Sequence, residues 1–183
     1  MIFTDELRKK YHLGRYLRIK QMLNQRDSLL DIGAGKPFEC MEDGSFLKYL
    51  GYGIGLDKKS CSSDFIFIKG DLINLPIKDN TFDTVVCMET LEHVDPSKID
   101  LAFQNIHRIL KKNGVFMVST PNNKILWNFF WFFWQRTIGK MWEKSHKSEF
   151  STREWINLLK KYFKIIDIQN YLSVILIVKM KKR

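Results

Sequence analysis

Leu29-Leu30-Asp31-Ile32-Gly33-Ala34-Gly35 (residues 29–35) reads as a buried β-strand that runs straight into a glycine turn. The apolar run suits a strand covered on both faces, as in a parallel sheet. Gly33 and Gly35 give the backbone conformations that a Cβ would penalise and let a ligand approach closely. In an open α/β sheet, ligands occupy the crevice beyond the carboxyl ends of the strands, and this turn falls at such an end. One glycine turn is a weak signal, so its meaning depends on the sequence around it.

Downstream, short apolar runs alternate with helical patterns, the mark of βα units and a parallel sheet. Strands are expected over 28–32, 53–56, 65–68, 84–88 and 115–120. Between them, 45–50 and 98–110 have helical spacing, the second with Ile99, Ala102, Phe103, Ile106 and Ile109 on its apolar face. Gly114 reads as the stop of that helix. Residues 152–162 form an amphipathic helical pattern, with Ser151 or Thr152 as cap and Glu154 in the first turn. Two β-rich runs, 163–168 and 172–178, follow with only a few residues around Asn170 between them. So short a connection cannot house a crossover, which makes these strands antiparallel neighbours. The expected fold is α/β: a Rossmann-like seven-stranded mixed sheet, five parallel strands plus a C-terminal antiparallel hairpin, with helices on both faces. No repeat or Pro/Gly/Ser-rich linker divides it. A single domain is expected over 1–183, with an N-terminal helical segment (about 1–27) and an aromatic lid insertion (about 123–147).

The bulk composition agrees with a globular α/β domain. The 183 residues are 45% hydrophobic and 27% charged, ordinary for one folded domain. Cys40, Cys61 and Cys87 are scattered, without a CxxC pair, which points to reduced thiols in a cytoplasmic setting. Met1 to Glu6 lacks a basic region leading into an apolar stretch, so no secretion signal is expected. The net charge of +10 draws anions to the surface, whether nucleic acid, acidic lipid or phosphorylated molecules.

Two further acids sharpen the reading of the glycine turn. Asp57 ends the second strand, where its carboxylate can accept hydrogen bonds from a ribose diol. Asp71 follows the third. Each acid alone is more simply a cap on the helix after its strand. Three at successive strand ends, beside a glycine turn, suit a nucleoside cofactor with an amino group and a sulfonium charge. They suit a pyrophosphate poorly.

The segments 29–35, 51–57, Gly70-Asp71-Leu72-Ile73-Asn74-Leu75-Pro76, 82–88, 109–115 and Ser119-Thr120-Pro121-Asn122 together resemble the class I S-adenosylmethionine-dependent methyltransferases, type 11. Order and spacing both match. The resemblance implies that Asp31, Gly33 and Gly35 surround the amino-acid end of S-adenosylmethionine. It implies further that Asp57, with Lys58 beside it, serves the ribose, Asp71 and Leu72 flank the adenine, and Met88 borders the methionine portion. Pro37 stands where that family often has a third glycine, so the loop after Gly35 takes another path.

The acceptor side begins at Cys87-Met88-Glu89-Thr90-Leu91-Glu92-His93-Val94. On a helix, Glu89 would meet Glu92 and His93 at i+3 and i+4, a set that could hold a hard divalent ion such as Mg²⁺. The ExxEH pattern resembles the O-methyltransferases of ubiquinone biosynthesis and the RNA 3′-terminal 2′-O-methyltransferases, in which a later histidine completes a metal site; His146 is the candidate here. The alternative is that Glu92 and His93 only line the acceptor pocket. His93 is the leading candidate for the base that takes a proton from an acceptor hydroxyl.

The aromatic stretch 125–134 carries Trp127, Trp131 and Trp134 and is flanked by Lys124, Arg136 and Lys140. Ten residues are too few to span a bilayer. A hydrophobic, lipid-like small-molecule acceptor or a peripheral membrane contact is the first reading of 125–142, and a homodimer contact the second. Two rival functions remain on the sequence: methylation of RNA, favoured by the charge, and cofactor binding without catalysis.

Overall fold

The chain enters through a helix, α1 (Ile2–Met22), and reaches the first strand, β1 (Leu29–Ile32), after a short turn. A computed structural model describes residues 2–35, 45–58, 64–122, 147–148 and 150–183. Next come α2 (Ser45–Leu50), β2 (Ile54–Asp57), β3 (Ile66–Lys69) and β4 (Phe82–Met88). Two single-turn 3₁₀ segments, Leu91–His93 and Pro96–Lys98, lead into α3 (Ile99–Ile109). The remainder is β5 (Leu110–Pro121), α4 (Thr152–Tyr162), β6 (Phe163–Tyr171) and β7 (Ile175–Lys182).

The seven strands form one sheet in the order β3-β2-β1-β4-β5-β7-β6. β1 pairs parallel with both β2 and β4, and the parallel set continues to β3 and β5. β7 runs antiparallel to β5 and β6. The expected sheet, five parallel strands closed by an antiparallel hairpin, is the one observed. Between β1 and β4 the strand order reverses direction, which opens a crevice at their carboxyl ends.

Period-two alternation assigns each strand residue to a face. Leu30, Ile32, Val85 and Cys87 pack with Phe103, Ile106 and Trp155, beneath α3 and α4. Leu29, Val86 and Met88 pack with Tyr16, Ile19 and Leu47, beneath α1 and α2. Asp31 therefore shares the α1 face with Leu29. α4 is fixed at its start by a full capping box: the Ser151 hydroxyl accepts from the Glu154 N–H while the Glu154 carboxylate accepts from the Ser151 N–H.

Several boundaries differ from the sequence reading, each for a local reason. β1 starts at Leu29, because Ser28 directs its N–H and hydroxyl to the Asp83 carboxylate instead. α3 ends at Ile109 and the chain enters β5 at once, so Gly114 is not a helix stop. Its Cβ would stand 3.1 Å from the Asp83 carbonyl oxygen, and glycine is there for the close approach of β4 and β5. The β6–β7 turn lies at Leu172–Val174 rather than around Asn170. Leu172 and Ser173 both take positive φ, the handedness that hairpin twist favours, without the usual Asn or Gly. The aromatic stretch 125–134, the wider 125–142 contact segment, Pro37, Cys40, Cys61 and His146 lie outside the described residues.

Candidate active site

Gly33 carries the turn out of β1 with φ +78, a conformation that disfavours any side chain. The turn is pinned over β2: the N–H groups of Gly33 and Ala34 both donate to the Leu56 carbonyl, at 2.7 and 3.2 Å. A Cβ on Gly33 would fall onto the Thr90 side chain, within 2.8 Å of its methyl carbon. The glycine thus allows β1 and the segment after β4 to meet at the crevice.

Asp57 closes the other side. Its Oδ2 accepts the Gly35 N–H at 3.2 Å, so the carboxylate leans back over the glycine turn from the end of β2. Asp31, Gly33, Gly35 and Asp57 lie together at the carboxyl ends of β1 and β2. Met88 ends β4 at the same crevice, nearly buried.

Asp71 and Lys58 are placed differently. Asp71 Oδ1 accepts from the Ile73 N–H at 3.2 Å, and Oδ2 pairs with Lys58 Nζ at 3.0 Å. The Asp71 carboxylate therefore does what a turn cap does, at the β2–β3 end of the crevice, with exposed Lys58 as its counter-ion. Leu72 is buried in the core, and its carbonyl accepts from Asn105 Nδ2.

Asp31 is buried, 2% exposed, on the α1 face of β1. Burial pushes its carboxyl up to about 8, against the lowering influence of Arg15 and with a raising one from Asp57. At neutral pH this acid keeps its proton.

The segment after β4 corrects the metal reading. Glu89 is not on a helix with Glu92 and His93: it sits at the strand end with φ +48, and the single turn Leu91–His93 begins two residues later. The spacing i, i+3, i+4 therefore does not place the three on one face. Glu89 Oε1 instead accepts from the Ser119 hydroxyl at 2.9 Å and lies 3.4 Å from Arg15 Nη1. Among the described residues no three His, Cys, Asp or Glu side chains are grouped to hold a metal ion. The donors present do not fit the Mg²⁺ site expected at Glu89, Glu92 and His93, and His146 lies outside the described residues.

Glu92 is buried, and neither carboxylate oxygen has a hydrogen-bond partner among the described residues. Burial, reinforced by the Glu89 charge, raises its carboxyl well above the usual range. The Glu92 main chain is nevertheless fixed, its carbonyl accepting from the N–H groups of Lys147 and Ser148. His93 follows, half-buried, with its own N–H held by the Thr90 carbonyl at 3.1 Å. Cys87 is buried inside β4 and unpaired.

Arg15 is the residue beside the crevice whose burial sequence reasoning missed. It is buried within α1 and reaches the strand ends of β1 and β4. The available signal was the helical series His12, Arg15, Tyr16, Ile19, at i, i+3, i+4 and i+7, which puts a cation on the buried stripe.

A glycine turn at the topological switch of a parallel sheet, with a carboxylate on the next strand end, is the place where open α/β folds bind nucleotide-like ligands. Residues 30–118 match the methyltransferase domain family. The chain is 35% identical over 113 residues to an uncharacterized protein of Methanocaldococcus jannaschii, covering 60% of this chain and 48% of that one. It is 35% identical over 126 residues to a sterol 24-C-methyltransferase of Pneumocystis carinii, covering 62% and 32%. The chain thus spans half or less of the length of these relatives. It shares its fold, at TM-score 0.69 and 17% identity, with a 1,6-didemethyltoxoflavin-N1-methyltransferase of Burkholderia thailandensis solved with S-adenosylhomocysteine, covering 97% of this chain and 85% of that one. Over residues 30–118, just under half of the chain, the sequence is similar to this methyltransferase family, and the sheet is the fold of solved S-adenosylmethionine-dependent methyltransferases.

Proposed function

We propose that the chain transfers the methyl group of S-adenosylmethionine to a hydroxyl of a small hydrophobic or lipid-like acceptor. The glycine turn clasped by Asp57 at the β1/β4 crevice carries the cofactor half of this reading. The sterol 24-C-methyltransferase relative and the aromatic stretch 125–134 support a lipid-like acceptor, while the hydroxyl as the methylated group rests on His93. In this reading 1–183 is one catalytic domain, with the aromatic stretch as its lid or its peripheral membrane contact. No helix among the described residues is long and apolar enough to cross a membrane.

The chemistry asks the protein mainly to position its reactants, because a methyl group on a sulfonium is already activated. The acceptor oxygen supplies the electron pair for the new C–O bond, and the C–S pair returns to sulfur as a thioether. The hydroxyl proton must leave, and His93 is assigned as its acceptor. In a panel of sterols, quinols and RNA, product S-adenosylhomocysteine is expected with a lipid-like hydroxyl compound. His93→Ala should lower turnover about 10²- to 10⁴-fold and leave cofactor affinity unchanged. Turnover on RNA alone would replace this reading with nucleic-acid methylation, the alternative that the +10 charge favours. Binding without turnover on any acceptor would leave a non-catalytic protein.

Asp31 makes cofactor binding depend on pH. Its raised carboxyl is protonated below about 8, so ionising it in the folded chain costs stability as pH rises through that value. A bound ammonium or sulfonium charge favours the carboxylate, so binding releases a proton below that pH. Calorimetric affinity for S-adenosylmethionine should therefore rise from pH 6 to about 8 and then level off. Asp31→Asn should flatten this profile; a flat profile in the unaltered chain would remove Asp31 from the site.

A further inference from the structure

We propose that the crevice end of the chain docks on an anionic phospholipid surface through Leu13 and Leu17 of α1 and Leu172 at the tip of the β6–β7 hairpin. This docking rests on the lipid-like acceptor proposed above and goes beyond it, since the surface lies outside both the crevice and the aromatic stretch 125–134.

Leu172 carries two costs that the fold does not offset. Its side chain is 62% exposed, and its backbone sits at φ +51, where a bulky residue is strained. Asn or Gly would hold the same left-handed turn with less strain and no exposed apolar surface. A leucine there is explained by an apolar phase that covers it from outside. The tip is firmly held: the buried Tyr171 donates its hydroxyl to the Tyr11 carbonyl at 3.1 Å, and the Val174 carbonyl accepts from the Asn122 N–H at 2.7 Å.

α1 supplies the rest of the surface. Its inner stripe, His12, Arg15, Tyr16 and Ile19, is buried over the sheet. Its outer stripe runs through Lys9, Leu13 and Leu17 at i, i+4 and i+8, with Lys10 beside them, and the two leucines are 47% and 46% exposed. The Tyr171 ring lies against Gly14 and 4.4 Å beneath the Arg18 guanidinium. Those two residues directly follow Leu13 and Leu17, so the hairpin tip meets α1 alongside the leucine stripe.

Charge selects the occupant. α1 holds six basic residues against two acidic ones, and the whole chain carries +10. Leucines flanked along a helix by Lys9, Lys10, Arg18 and Lys20 match a bilayer with acidic headgroups, where the apolar side chains insert and the cations stay at headgroup level. A second copy of this chain would instead bring like charge against like. The placement also suits the acceptor. β7 runs antiparallel to β5 with Ile175 opposite Pro121, which puts the hairpin tip at the crevice end of the sheet. The Arg15 side of α1 borders that crevice while the leucine side faces outward. Seated in this way, the crevice opens beside the phase that holds a lipid-like acceptor.

The test is co-sedimentation of the full chain with vesicles of phosphatidylcholine, alone or mixed with phosphatidylglycerol. Binding to the mixed vesicles is expected, weakening as salt rises, with little binding to the neutral ones. Leu13→Ser, Leu17→Ser and Leu172→Asn should each weaken it about 5- to 10-fold, the effect of no longer burying roughly half a leucine side chain. Leu172→Asn should also melt about 1–3 °C higher, because Asn tolerates the left-handed turn. A residue that serves only the fold would not gain stability while losing vesicle binding. Absence of vesicle binding by the unaltered chain would overturn the docking, as would binding that all three variants retain. A leucine-dependent dimer that ignores vesicles would also overturn it, with a second copy as the occupant. Turnover of a dispersed lipid-like acceptor without vesicle binding would refute the docking and leave the proposed function standing. Leucine-dependent vesicle binding without turnover on any lipid-like acceptor would do the reverse.

Discussion

Replacing Gly33 with alanine is expected to destabilise the chain by about 2–5 kcal/mol and to abolish measurable cofactor binding. Two costs add. The backbone at φ +78 disfavours an L-side chain by about 1–2 kcal/mol. The new methyl also lands on Thr90, and making room in a packed site costs about 1–3 kcal/mol. Thr90 cannot move freely, because its hydroxyl donates to the Met88 carbonyl at 2.9 Å and so holds the chain leaving β4. For a domain of this size the melting temperature should fall by roughly 5–15 °C. Adding Thr90→Ala to Gly33→Ala should restore part of the steric cost and none of the backbone cost. A Gly33→Ala chain that melts within a degree or two of the original and binds cofactor normally would show that the turn is not where the account places it.

Asp57→Ala acts on the ligand more than on the fold. The side chain is only half-buried, and its bond to the Gly35 N–H is of the kind that contributes about 0.5–1.5 kcal/mol. A charged partner to the ribose hydroxyls contributes more, so both S-adenosylmethionine and S-adenosylhomocysteine should bind about 1–3 kcal/mol more weakly. Equal losses for the two are expected, because they share the ribose and differ at sulfur. Calorimetry on a variant whose melting curve stays close to the original separates this effect from unfolding. An unchanged affinity would detach Asp57 from the cofactor.

The sheet was legible because its signals are local. Apolar runs such as Val85-Val86-Cys87 mark buried strands, the spacing of Ile99, Phe103 and Ile106 marks a buried helix face, and the short connection between the runs 163–168 and 172–178 forces an antiparallel hairpin. The glycine turn and Asp57 were legible for the same reason, since a strand end and its residue type are written in sequence. Glu89 was not. Three residues at helical spacing look like one face, but β4 runs on to Met88 and the chain must reverse sharply there, which puts Glu89 at φ +48. Asp71 was read as part of the nucleoside site, and the competing role, capping its own turn while paired with Lys58, is the one its contacts display. Arg15 escaped because an arginine in a helix ordinarily faces solvent. Its burial depends on how α1 docks across the ends of β1 and β4, a contact between segments far apart in sequence.

The central claim is that this chain binds S-adenosylmethionine in the crevice between β1 and β4. A calorimetric titration of the unaltered chain with S-adenosylmethionine and with S-adenosylhomocysteine tests it most directly. Saturable binding of both, one ligand per chain, is expected, together with loss of that binding in Gly33→Ala. Absence of heat from either ligand at millimolar concentration, in a chain shown to be folded, would contradict the account.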